Sequence, residues 1–220
     1  MPTDAFSRFM SSLDLDYDRW HDGDGFDLES LAAIDENERG DVVWELARRE
    51  PTWREIAALE QIDIPPAFMA IKRALRDSES IDTRLAAAAA LDGLGKLDDP
   101  IDAVLAREIR ALGAVDDGCT RALLMAEDHP TDLVKQALLA ASQARTACAM
   151  HCAAVLCYLT GAAQEPFDWD LRPLFLRLGP DEPEPDRAAA FAELCALVDR
   201  EGRTVTRPDT VTEPDPRATV

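Results

Sequence analysis

The chain has 220 residues, 47% of them hydrophobic, with 43 acidic side chains against 23 basic ones and a formal charge of −20 at neutral pH. So much apolar material excludes disorder throughout and suits one compact domain or one short repeat array. Charge of this sign repels phosphate backbones, so nucleic acid is not the expected partner and a basic protein is.

Residues 1–15 include Asp4 and no long apolar run, and no stretch approaches the roughly 20 apolar residues that cross a bilayer. The expectation is a soluble, cytoplasmic protein with no membrane partner. Cys119, Cys148, Cys152, Cys157 and Cys195 have no framework spacing, and free thiols in a reducing compartment are the simplest interpretation. Arginine far outnumbers lysine, present only as Lys72, Lys96 and Lys135, and alanine is abundant, as in GC-rich bacterial genomes. The excess charge sits at the ends: residues 1–50 carry 14 acids and 5 bases, whereas residues 111–161 carry 5 and 3. A packed helical centre with solvated flanks has this pattern.

Residues 1–26 are expected to form a solvated acidic arm. Within it, the run from Asp14 to Gly25 invites a calcium-loop interpretation that fails on spacing. Counting from Asp14, Arg19 stands where the loop needs glycine and Gly25 where it needs a bidentate glutamate. Tyr17, Trp20, Asp22 and Asp24 instead offer aromatic and acidic contacts to a basic protein. Asp27 is positioned to cap a helix carrying Leu28, Leu31 and Ile34, and Val42, Val43 and Leu46 mark the next. Thr52 and Glu55 have capping-box spacing, so a helix starts near Trp53.

Further on, Phe68, Ile71 and Leu75 form an apolar stripe after Pro65 and Pro66. Ile101, Leu105, Ile109 and Leu112 form another, with Asp99 as expected cap and Pro100 in the first turn. Cys119, Ala122, Leu123 and Ala126 make a third stripe, and Val134, Ala137, Leu138 and Ala141 a fourth, opened by Pro130. Residues 144–160 are apolar nearly all round, as in a helix buried on both sides. No alternating β-branched run or hairpin turn between two such runs occurs.

The prolines near 66, 100 and 130 allow two short helices per interval, with second helices starting near 82, 116 and 144. At Asp82-Thr83-Arg84-Leu85 and the following alanines, through Leu94-Gly95, the chain resembles the HEAT-like repeat family. That resemblance, covering at most residues 52–161, implies an all-α, short right-handed solenoid of antiparallel helical hairpins, and the array is expected to span residues 27–161. Its alanines would let helices approach closely, and Asp82 and Arg84 could join neighbouring repeats. The segment Glu165-Pro166-Phe167-Asp168-Trp169-Asp170-Leu171-Arg172-Pro173 is similar to a C-terminal segment of bacterial HEAT-like proteins and brings no activity with it. Residues 162–201 are expected to be an aromatic cap and a last helix, capped by Asp186 and carrying Phe191, Leu194, Leu197 and Val198. Either Phe167, Trp169, Leu171 and Phe175 hide the open end of the array, or Trp169 and Arg172 face outward as an interaction hot spot. Residues 202–220 carry three prolines without apolar periodicity and are expected to be a disordered tail.

Cys148, His151 and Cys152 fall at i, i+3 and i+4, which could seed a zinc site. Three ligands on one helix are too few, and the alternative is buried thiols beside a hydrogen-bonded core histidine. No phosphate-cradling glycine loop, nucleophile elbow or His-Glu-x-x-His motif occurs. HEAT-like iron hydroxylases use His-Glu pairs, but here His21 precedes Asp22, His129 precedes Pro130 and His151 precedes Cys152. HEAT-like DNA glycosylases need a basic groove, which the charge opposes. The expected function is non-enzymatic binding of a basic protein, as an immunity or adaptor protein, with no cofactor, metal or catalytic residue. A small lyase using an apolar cleft near His151 and a self-associating structural module are the rivals.

Overall fold

The computed structural model describes residues 2–14, 17, 21, 24–113 and 117–200, and among these it is all-helical, without strand. No described helix is long and apolar enough to cross a membrane. The described residues divide into two compact units, the first within 1–112 and 116–125, the second within 113–115 and 126–220. This division falls inside the 27–161 stretch that the sequence suggests as one array.

In the first unit, α1 (Asp4–Ser12) opens at Thr3, whose hydroxyl accepts the Phe6 N–H at 3.2 Å. Ala5, Phe9 and Leu13, spaced four apart, turn into the core, and Phe9 meets Phe26 edge-on at 6.4 Å. The expectation of a solvated arm over residues 1–26 is therefore wrong for this stretch. Acidic composition concealed a three-residue apolar stripe, and burial follows the stripe. α2 (Leu28–Ala32) is capped by Asp27, which accepts the Ser30 N–H at 2.9 Å. A 3-10 turn (Glu36–Glu38) leads into α3 (Arg39–Arg48), where Val42, Val43 and Leu46 are buried as the sequence indicates. Glu38 reaches back to Thr3, accepting its N–H at 2.9 Å and its hydroxyl at 2.6 Å.

α4 (Trp53–Glu60) begins at the expected capping box, with the Glu55 carboxylate accepting the Thr52 N–H at 2.9 Å. α5 (Pro65–Asp77) has both prolines in its first turn, where their missing N–H groups cost no intrahelical bond. α6 (Ile81–Gly93) follows after Ser78–Ser80 and packs against α4, α5 and α7 (Ile101–Ala111). Its buried Ala86, Ala87, Ala88 and Ala90 allow several helices to approach one rod closely. α7 starts one residue after Pro100, which occupies the cap position itself. Asp99 is thus not the cap, because the chain is still extended at Pro100, with ψ 138°. α8 (Cys119–Asp128) begins after Gly118.

The second unit is centred on α10 (Ala149–Thr160), which packs against α9 (Asp132–Gln143), α11 (Arg172–Leu176) and α12 (Glu184–Arg200). Cys152 through Cys157 are all buried, as an all-round apolar helix requires. Thr131, after Pro130, caps α9 by accepting the Val134 N–H at 3.4 Å. At the other end of α9, buried Arg187 donates to the Gln143 and Ala144 carbonyls at 2.9 and 3.0 Å, satisfying oxygens the helix leaves unpaired. Asp186 lies within the first turn of α12 and does not cap it, since the helix already starts at Glu184. The expected tail, residues 202–220, lies outside the described residues.

Candidate interaction surface

The polar residues singled out in α6 tie helices of the first unit together. Asp82 accepts Arg121 Nε of α8 at 2.8 Å. Arg84 donates to Glu108 of α7 at 2.6 and 2.9 Å and to the Ser78 and Glu79 carbonyls at 2.8 and 3.0 Å. Glu108 is only 3% exposed and also receives Arg107 at 3.1 Å. A carboxylate so enclosed needs these donors, because a buried unpaired charge is strongly destabilising.

An open cleft of about 680 Å³ lies within the same unit, between Pro51–Arg54, Ser80–Thr83 and Gly118–Arg121. Its charges are largely spent on the fold. Arg121 holds Asp82, and Asp117 accepts the Ser80 hydroxyl at 3.0 Å and the Ile81 N–H at 2.7 Å, capping α6. Arg54 stacks over Trp53 at 4.6 Å and donates from Nε to the Asp24 carbonyl at 2.6 Å. The Asp24 backbone is thereby fastened to α4, while Asp24 itself is exposed.

Of the other N-terminal contact candidates, Tyr17 is 73% exposed and lies 5.8 Å from the His21 ring. Trp20 and Asp22 lie outside the described residues.

In the second unit the aromatic segment splits between the two roles considered for it. Phe175 is fully buried; Phe167, at φ 63°, bridges the Phe175 ring at 5.6 Å and the His151 ring at 5.4 Å. These two rings cover α10. Trp169 does not join them: it is 70% exposed, with the Arg172 guanidinium 4.6 Å above its ring. Its position is nevertheless defined, because Asp168 organises the turn by accepting the Asp170 N–H at 3.0 Å and the Gln164 N–H at 3.3 Å. Arg172, Pro173 and Leu176, all exposed, continue the surface along α11, with carboxylates of Glu165 and Asp170 beside it in sequence.

Cys148, His151 and Cys152 share a helical face but not an environment. Both thiols are buried, whereas His151 is exposed against Phe167, so the expectation of a core histidine fails. The helix turns position 151 outward, where its ring lies against Phe167 and stays open to solvent. Burial, and secondarily the charge of Cys148, pushes the Cys152 thiol up to about 12; burial and then Asp168 push Cys157 to about 12 as well. Thiols this weakly acidic are poor nucleophiles near neutrality. Among the described residues no cluster of three or more His, Cys, Asp or Glu is arranged to hold a metal.

Among the described residues, a strongly exposed tryptophan is not singled out by the sequence. Trp44 on α3 is 62% exposed with Arg48 stacked over it at 4.4 Å. The signal was available, since assigning Val42, Val43 and Leu46 to the core leaves position 44 on the opposite face. No family model, no curated protein and no solved structure matches this chain.

Proposed function

We propose that this protein is a non-enzymatic binding module, a HEAT-like stack of helical hairpins that takes a basic protein as its partner in the cytoplasm of a bacterium. The observation that carries the proposal is Trp169, held in solvent at 70% exposure by a defined turn and by Arg172. An ordered exposed indole contributes little to folding, while tryptophan and arginine are enriched among residues that dominate interface energies. The charge of −20 supports the choice of partner, because it accelerates encounter with a basic surface and disfavours acidic competitors. Close pairs such as α5 with α6 and α9 with α10 support the hairpin interpretation. The buried, weakly acidic Cys152 thiol beside exposed His151 argues against a cysteine nucleophile there.

The test is affinity capture at low salt with wild-type and Trp169→Ala baits. A basic protein retained by wild type, released as salt rises and weakened about tenfold or more for Trp169→Ala is the expected result. Recovery of only the chain itself would favour the self-associating module instead.

A further inference from the structure

The outer face of α3 presents a further aromatic–arginine stack, exposed like that of Trp169 but in the other compact unit. Val42, Val43 and Leu46 point inward, which leaves Asp41, Trp44 and Arg48 exposed together at i, i+3 and i+7. Nothing in the fold requires an indole there: alanine or glutamate would suit an exposed helical position as well or better. Glu45 holds Arg48 at 3.3 Å and Arg49 at 3.7 Å, fixing the cation beside the ring. Arg48 thereby shows that the Trp44 ring accepts a guanidinium. Over residues 35–50 the six acids Asp35, Glu36, Glu38, Asp41, Glu45 and Glu50 outnumber the bases Arg39, Arg48 and Arg49 by three, so the surroundings favour a positive visitor.

We propose that this face is a second docking surface for the same basic partner, receiving an arginine side chain that stacks on the face of Trp44 opposite Arg48 and pairs with Asp41. The inference rests on the preceding functional proposal. Arginine suits the site better than lysine because a planar guanidinium stacks on the indole while donating to a carboxylate at its edge. Trp44 and Trp169 lie in different units and each is an arginine-accepting position in its own right, so loss of Trp44 weakens binding of an arginine-rich chain without abolishing it.

The experiment follows the tryptophan indole N–H signals of the full chain by NMR during titration with an oligo-arginine peptide at low salt. Trp44→Phe and Trp169→Phe assign the two signals, and circular dichroism verifies that Trp44→Ala folds. The expected result is a shift of the Trp44 signal, and an affinity for oligo-arginine about three- to fivefold lower in Trp44→Ala. Trp44→Phe should retain part of the affinity, Asp41→Asn should weaken it and flatten its salt dependence, and oligo-lysine should bind less tightly. An unmoved Trp44 signal with unchanged Trp44→Ala affinity, while Trp169→Ala loses binding, overturns this surface and leaves the basic-partner function standing. Absence of binding to the wild-type chain overturns both.

Discussion

Gly118 illustrates how one backbone position can hold a packing arrangement. It adopts φ +77°, and a Cβ there would lie 2.6 Å from the Ile81 side chain and 2.8 Å from the Asp82 amide nitrogen. The left-handed backbone and the clash oppose the same substitution. Gly118→Ala is expected to cost about 2 kcal/mol or more, measured by urea denaturation. Gly113, by contrast, has open space around it, so Gly113→Ala should be near neutral. Asp27 offers a second case. Hydrogen bonds from the Ser30 hydroxyl and amide hold its carboxyl below the ordinary 3.8. A lowered folded-state value means the cap contributes fully above pH 3.8 and is lost as pH falls through that lower value. Asp27→Ala is expected to lose about 1 kcal/mol near neutrality, with the difference from wild type shrinking as denaturation is measured at progressively lower pH.

At the scale of elements, α1 and α6 reach burial by different routes. α1 is polar on average and contributes one narrow stripe, with Phe9 fully buried against Phe26. Phe9→Ala is expected to cost about 3–5 kcal/mol, read as a fall in the denaturation midpoint. A solvated arm would lose almost nothing, so a change under about 0.5 kcal/mol would restore that interpretation. α6 buries small residues on several sides and uses the polar residues of its first turn, Asp82, Thr83 and Arg84, as links to neighbouring segments. Close approach leaves no room for long side chains between the rods, so the long polar groups work at the helix's N-terminal end.

For the whole molecule, charge and anchors divide the labour of binding. Surface acids act over the Debye length, which shrinks from about 30 Å at 0.01 M salt to about 8 Å at 0.15 M. The association rate with a captured basic partner should therefore fall about tenfold or more across that range, while the dissociation rate changes little. Trp169→Ala should do the reverse, raising dissociation and leaving the salt dependence intact, as surface plasmon resonance would separate. A salt-independent association rate would remove charge steering from the account.

Read alone, the sequence determined helix identity and most of the inward stripes, because 3.6-residue periodicity, the Thr52–Glu55 box, the Asp27 cap and the proline starts are local physics. The Asp82 and Arg84 links were implied by the resemblance of that segment to HEAT-like repeats, though their partners Arg121 and Glu108 were not. Tertiary structure decided what depends on neighbours distant in the chain. It buried the apolar stripe of α1, turned His151 outward against Phe167, kept Trp169 out of the cap, divided the chain into two units and left Trp44 exposed. Periodicity specifies which residues share a face, but only the packing of other segments against that face determines whether water is excluded from it.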